Sequence, residues 1–422
     1  VSEDLGTFAD EVRVFLDANA ERRPPATTVD WGVGEDRIAY FSTDPPDVDA
    51  AKVAAARAWQ RRRYEAGFGW ISGPTEHGGR GLSTLHDLVY DGIEADYDVP
   101  DTGVLAVIGL GMIGPTILAH AEPHIKQRYL PAMYSGDVIA CQLFSEPGAG
   151  SDLASLTTRA VRDGDEWVLT GQKVWTSIAQ HAGIGMALCR TNPDAPKHRG
   201  ITAFLVDMAA PGVEVRPLRQ MTGGADFNEV FLTDVRVPDD HRLGPVDGGW
   251  RTALTTLMNE RATVGGEGVG PAARAVSLPF LTALLEQNGR RGDPAVRREL
   301  ARLYADQAAT EALNRQAIGR AQAGVQPGPE ASVSKLLYAQ NLTRGARLAA
   351  EVLGPKLIAD TGAWGAYSWT ELLLSTPALR ILGGTEEIMK NILAERVLGL
   401  PKEPGIDSTT PFRELRRSGG AR

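Results

Sequence analysis

Two cysteines among 422 residues, Cys141 and Cys189, are too few for a disulfide framework or a thiolate metal cluster, which favours a reducing compartment. The seven histidines are scattered, and His120 and His124, although helically spaced, have Pro123 between them; no metal site is expected. Positive charge is also short. With 44 Lys and Arg against 53 Asp and Glu the formal net charge is -9, so nucleic acid and anionic membrane surfaces are repelled. Long uncharged runs are scarce. The longest, Thr102 to Ala119, approaches membrane-spanning length, but its glycines, Pro115 and the lack of a basic flank argue against membrane insertion and leave a buried helical segment. The stretch VSEDLGTFADEVRVFLDANAERR is charged and carries Leu5, Phe8, Val12, Phe15 and Leu16 on one side of a helix. It reads as a docking helix rather than an export signal, and the expected location is cytoplasmic.

What is present divides the chain into three. A hydrophobic content of 43% at this length supports two or three domains with substantial cores. Helical spacing dominates residues 1–138, interrupted by a proline-rich insert around Pro24-Pro25 and Pro45-Pro46. Residues 139–245 read as β. Thr157 to Arg162, a turn at Asp163-Gly164-Asp165 and Trp167 to Val174 predict a hairpin, and ITAFLVD, GVEVRPL and NEVFL predict further short strands. Long helical patterns return over 246–400, and 401–422 form a tail whose basic end, around Arg413, Arg416 and Arg417, reads as a disordered terminus.

One motif is a lure. Gly109-Leu110-Gly111-Met112-Ile113-Gly114 matches the dinucleotide pattern G-x-G-x-x-G, but that motif needs a following helix and then a second parallel strand. Pro123 cuts the helix short, and HIKQRYLPAMYSGD contains no buried strand.

Chemistry concentrates in three blocks. In CQLFSEPGAGSD, from Cys141 to Asp152, an apolar run ends in a turn whose Gly148 and Gly150 let backbone N–H groups approach an anion, flanked by the hydroxyls of Ser145 and Ser151. Taken alone, this turn also suits an ordinary strand-to-helix connection. The second block is GQKVWTS, ending in Trp175, Thr176 and Ser177. The third is ILGGTEEIMKNILAERVLGL, a Gly383-Gly384-Thr385 turn that enters a helix.

In this order, and with GFGWISGPTEHGGRGLS and DVRVPDDHRLGPVDGGW, these blocks resemble the acyl-CoA dehydrogenase family of flavoproteins from about Gly67 to Leu400. The resemblance implies an α+β multidomain fold: an N-terminal α-helical domain, a middle β-barrel domain and a C-terminal four-helix bundle that also builds the oligomer. It implies FAD as cofactor and an acyl-CoA as substrate, oxidised to the 2-enoyl-CoA in lipid β-oxidation, with electrons passing to an electron-transfer flavoprotein. Phe144 and Ser145 then meet the flavin ring, Gly150 and Ser151 the pyrophosphate, and Trp175 with Ser177 the ring face. Gly384, Thr385 and Glu387 lie toward the adenosine half. Ser151 and Arg261 are candidates to touch the substrate.

The base departs from the commoner family pattern, in which a glutamate stands where this chain has Gly383. A minority branch, typified by isovaleryl-CoA and long-chain acyl-CoA dehydrogenases, places it on the bundle's first helix; here that position is Glu260 in LTTLMNERATVGG. Helical geometry sets Glu260 beside Ala253, Leu257 and Val264, an apolar flank that raises a carboxyl pKa and suits proton abstraction. Without the resemblance, Glu260 and Arg261 also read as a solvated pair. The Gly383 amide is implied as a donor to the thioester carbonyl.

Two further departures bear on assembly. Relatives carry an R-x-x-F-G arginine that reaches a neighbouring subunit's FAD, where this chain has LLEQNGRRGDPAVRRELA with Arg290 and Arg291. A Gln and a Gly-Gly near the adenine are replaced by Glu351 and Gly354-Pro355. Both a homotetramer and a heterotetramer with a paralogous chain follow as readings. Beside the dehydrogenase stand two alternatives: a half-site or non-catalytic subunit of a mixed tetramer, and an oxygen-using acyl-CoA oxidase or flavin monooxygenase.

Overall fold

The periodic apolar stripe at the start of the chain forms helix α1 (Leu5–Asn19), capped by the Asp4 carboxylate and burying Phe8, Val12 and Leu16. The computed structural model describes residues 4–23, 31–34, 36–264, 271–322, 328–402 and 409–415. After the short strand β1 (Glu21–Arg22) come α2 (Pro46–Glu65) and α3 (Thr84–Glu94), and β2 (Tyr97–Asp98) pairs back on β1. Trp59, Phe68, Tyr90 and Tyr97 close a core over α1.

The uncharged run is helical throughout: α4 (Gly103–Leu105), a π segment (Ala106–Ile113) and α5 (Gly114–His120). It is the one described helix long and apolar enough to cross a membrane, and it packs against α6 (Pro123–Tyr134) and the sheet that follows. The G-x-G-x-x-G residues therefore lie within the π segment and the start of α5, not in a βα turn.

An eight-stranded sheet follows, from β3 (Ala140–Leu143) through β4 (Arg159–Asp163), β5 (Glu166–Ser177), β6 (Ile184–Arg190), β7 (Ile201–Asp207), β8 (Val213–Leu218) and β9 (Phe227–Pro238) to β10 (Arg242–Leu243). The spatial order is β10-β7-β6-β4-β5-β9-β8, with β3 parallel to β6. Strand alternation divides β6 and β7 between two cores. Met186, Leu188, Ala203 and Leu205 face the helices, while Ala187, Cys189, Phe204 and Val206 fill the opposite side. Burial pushes the thiols of Cys141 and Cys189 up to about 12, so both act as inert packing groups.

The hairpin forms with Asp163 paired to Glu166 and Gly164 supplying φ 63° in the turn. Its first strand begins at Arg159 rather than Thr157, because the Thr157 and Thr158 amides donate to the Glu146 carboxylate instead of to a strand.

The last third is helical: α7 (Gly249–Val264), α8 (Pro271–Ala275), α9 (Leu278–Gln287), α10 (Pro294–Gln322), α11 (Ala331–Leu353), α12 (Ser368–Leu379) and α13 (Glu386–Ile392). Helix α11 is central and packs against α7, α9, α10, α12 and α13. Leu281, Leu284, Leu342, Ala346, Trp369 and Leu372 form the bundle core.

The entry to α7 is tightly built. A Cβ on Gly249 would lie 2.6 Å from the Thr202 backbone. Gly249→Ala is therefore expected to cost about 1–3 kcal/mol, because backbone must move to admit the methyl group. An unchanged melting temperature by calorimetry would contradict this packing.

Candidate active site

The Gly/Ser-rich turn leaves β3 through Phe144 and Ser145 and closes on itself, with the Glu146 and Ala149 backbones exchanging hydrogen bonds of 3.0 Å each way. Gly148 and Gly150 are exposed, and nothing lies within 4 Å of a Cβ built on either. A flat backbone surface results, with Ser151 exposed beside it.

What fixes this turn is a buried ion pair. Lys173, fully buried on β5, donates to the Glu146 carboxylate at 2.9 Å and to the carbonyls of Phe144 at 3.1 Å and Leu188 at 2.7 Å. Glu146 also accepts from the Thr157 and Thr158 amides at 2.7 and 2.8 Å. Burial alone would raise the Glu146 pKa, but Lys173 and these donors outweigh it and hold the carboxyl at about 2. The Val174 amide donates to the Ser145 carbonyl at 2.9 Å. The first two motif blocks are thus joined side by side.

Past Lys173 the ladder with β9 breaks in a bulge, and Trp175 takes φ 61°, a conformation costly for a side chain of its size. Its indole is 61% exposed and meets the Phe227 ring edge-on at 5.9 Å. Ile178 is also left-handed, at φ 55°. The strain turns a large aromatic face outward beside the glycine turn, with Ser177 half-buried two positions on.

Helix α7 lies against the π segment and β6. Thr256 bonds Thr116 at 2.9 Å and reaches the Met186 sulfur at 3.6 Å. Ala253 and Leu257 share a core with Phe144 and Ala149. One turn beyond Thr256 stands Glu260, half-buried. On the neighbouring α11, Lys335 is 2% exposed, and its ammonium donates to the carbonyls of Gly384 at 2.8 Å and Leu379 at 3.2 Å. Lys335 therefore ties α11 to the Gly383-Gly384 turn, where both glycines are left-handed, at φ 63° and 92°. The side chain of Arg261 lies outside the described residues.

Thr385 caps α13, accepting from the Ile388 amide at 3.2 Å, and Glu387 is exposed. The first turn of α13 is acidic, with Glu386 and Glu387, so this helix start is poorly suited to an anion. Glu386 is held by Arg380 through two bonds of 2.9 Å. That pairing, more than the opposing effect of burial, lowers its pKa. The pair lines a polar cavity of about 390 Å³ with Arg344, Arg347 and Glu351. Arg290 is engaged by Asp293 at 2.7 Å and approaches Glu351 at 3.7 Å, while Arg291 pairs with Glu286.

Lys173 and Lys335 carry much of this geometry and were not singled out in the sequence. Signals existed. Lys173 has the inward parity of Trp167 and Leu169 on β5, and Lys335 shares a helical stripe with Ser332, Ala339 and Leu342.

Three acyl-CoA dehydrogenase models match successive parts of the chain: the N-terminal domain at residues 43–137, the middle domain at 141–235 and the C-terminal domain at 247–398. The acyl-CoA dehydrogenase IpdE1 of Mycobacterium tuberculosis is 41% identical over 352 residues, covering 82% of this chain and 88% of the relative. This chain belongs to the acyl-CoA dehydrogenase family, a family of FAD-dependent oxidoreductases. Acyl-CoA dehydrogenase FadE34 of the same organism is 44% identical over 85% of the chain, but the chain spans only 48% of that relative's length. Among solved structures, the Tcur3481-Tcur3483 steroid ACAD aligns with TM-score 0.74 and 28% identity, over 94% of this chain and 98% of that one. The ChsE4-ChsE5 complex from Mycobacterium tuberculosis aligns with TM-score 0.70 and 27% identity, over 96% and 99%. The helical, β and helical-bundle order implied by the resemblance is the architecture of this family member.

The residues present fit a flavin dinucleotide. The turn is open and without side chains at Gly148 and Gly150, and the adjoining strained strand presents an open indole.

Proposed function

We propose that this protein oxidises an acyl-CoA thioester to the 2-enoyl-CoA with FAD, passing electrons to an electron-transfer flavoprotein. The observation that supports the reading is the placement of half-buried Glu260 on α7, which packs beside α11, the helix whose Lys335 holds the carbonyl of the glycine turn. Glu260 takes the α-proton. The Gly383 amide donates to the thioester carbonyl oxygen, which gains negative charge as the Cα–H bond breaks, so the donor matters most in the transition state. When bound, FAD supplies the acceptor for the β-hydride at its N5. Phe144, Ser145, Trp175 and Ser177 hold the flavin ring, Gly150 and Ser151 the pyrophosphate, and Gly384, Thr385 and Glu387 the adenosine half. Ser151 and Arg261 contact the thioester.

A second reading concerns assembly. Arg290, a candidate for the cross-subunit contact, is tied to Asp293 and Glu351 of its own chain. Two structural relatives are named as two-component proteins, Tcur3481-Tcur3483 and ChsE4-ChsE5. These features support a heterotetramer in which a paralogous chain completes the FAD site. The expected result is weak flavin absorbance for the chain purified alone and stoichiometric flavin on co-expression with its partner. Full flavin content in a homotetramer would contradict it.

The substrate test is anaerobic mixing with a thioester panel that includes a steroid side-chain CoA, chosen because one structural relative is named a steroid ACAD. A matching thioester bleaches the flavin, and no bleaching by any member would count against the proposal. Hydrogen peroxide release in air would instead identify an oxidase.

A further inference from the structure

The glycine turn that leaves β3 is held at its two ends by different buried cations. Lys173 fixes the Glu146 end. At the other end Lys197, itself buried, donates to both carboxylate oxygens of Asp152 at 2.8 and 2.9 Å, directly after Ser151. Arg190, buried at the end of β6, donates to the Ala154 carbonyl at 2.6 Å and the Leu156 carbonyl at 3.3 Å, just past the turn, and to the Lys197 carbonyl at 2.6 Å. One guanidinium thus joins the exit of the turn to the loop between β6 and β7 that carries Lys197. The end of the chain covers this joint. The sequence reads residues 401–422 as a tail with a disordered basic end, but residues 409–415 lie against the β domain, and Arg416 and Arg417 are outside the described residues. Pro411 bridges to Pro196, the Phe412 amide donates to the Ala195 carbonyl at 2.9 Å, and the Arg413 amide donates to the Pro193 carbonyl at 3.0 Å. Arg413 also pairs with Asp194 at 2.8 Å, an exposed contact that adds little. The Phe412 ring, 8% exposed, lies over the Arg190 guanidinium, 3.8 Å from ring centre to Cζ.

We propose that residues 411–413 form a strap that positions the flavin-binding turn, with Phe412 as a positioning residue that acts through Arg190. The inference rests on the assignment of the turn at Gly148 and Gly150 to the flavin pyrophosphate. A glycine turn has little stiffness of its own, so N–H groups aimed at an anion need both of its ends fixed. A cation is attracted to an aromatic face, and the ring also keeps water from it, which strengthens the bonds the cation makes to carbonyls. Without the ring, water reaches the guanidinium and competes for it with the Ala154 and Leu156 carbonyls. The segment that loosens is the one that leaves the turn.

The test compares F412A with F412Y, which keeps the aromatic face, in the full chain within its native assembly. The first readout uses protein stripped of flavin. Hydrogen exchange of peptides covering residues 148–158, where the Ala149, Ser155 and Leu156 amides are hydrogen-bonded, accelerates in F412A, while peptides of α11 keep the wild-type rate. The second is FAD affinity, read from the quenching of flavin fluorescence as the stripped protein is titrated. F412A binds FAD about 10-fold more weakly, the scale of one cation–aromatic contact, and F412Y stays within about twofold of wild type. If F412A does not fold, F412L, which keeps apolar bulk without the aromatic face, replaces it. A lower melting temperature with local exchange and FAD affinity both unmoved overturns the proposal, because the strap then only adds stability. Acceleration spread evenly over the whole chain overturns it as well. Faster local exchange with unchanged FAD affinity overturns its cofactor half. Gly150→Asp tests the underlying assignment: nothing lies within 4 Å of a Cβ built there, so the fold accepts the side chain, and its charge repels a phosphate. If Gly150→Asp binds FAD like wild type, the pyrophosphate assignment fails instead, and the exchange measurement still decides whether the strap holds the turn.

Discussion

Glu260→Gln lowers turnover by about 10²–10⁴-fold, the range of a positioned general base, while flavin content and thioester affinity stay near wild type. Glutamine keeps the shape and polarity of the side chain and removes its ability to take a proton. The competing carboxylate is Glu386. Its two bonds to Arg380 and its lowered pKa make it a weak base committed to an ion pair. Glu386→Gln is therefore expected to reduce stability more than chemistry. Stopped-flow bleaching of the flavin by substrate separates the two variants. Normal bleaching in Glu260→Gln with loss in Glu386→Gln would reverse the assignment.

Lys173→Met is the second large effect, and it falls on stability. It strands the buried Glu146 carboxylate, and breaking a buried pair from one side costs about 3–5 kcal/mol. Replacing both partners, as Glu146→Gln with Lys173→Met, costs less than the sum of the single changes because no lone buried charge remains. The pair also sets an acid limit. Glu146 is held at about 2 in the folded chain against an ordinary 4.5, a difference worth about 3 kcal/mol. Because the folded value is the lower one, this stabilisation is complete above about pH 4.5 and disappears as the pH falls toward 2. Chemical denaturation across that window measures it. A stability independent of pH between 5 and 2 would contradict the pairing.

The motif blocks were legible because each carries an unusual requirement: bare backbone at Gly148 and Gly150, and a two-glycine turn at Gly383-Gly384. Short runs bounded by turn residues gave strands β7, β8 and part of β9, and alternation gave the hairpin. It did not give β6, whose seven residues are all buried and so show no alternation. The true start of β4 was hidden for another reason. Side-chain capture of the Thr157 and Thr158 amides by Glu146 is a long-range event that local propensity does not encode. The same holds for Lys173 and Lys335, whose partners are mostly backbone carbonyls brought in by folding. The strained Trp175 conformation has no signature in GQKVWTS itself.

The central claim is that Glu260 removes the proton next to the thioester carbonyl. A saturated acyl-CoA analogue that binds but cannot lose a β-hydride isolates that step, with α-hydrogen exchange in D₂O followed by proton NMR. The wild-type protein is expected to exchange the α-hydrogen and Glu260→Gln to leave it in place. Exchange at the wild-type rate in Glu260→Gln would contradict the account.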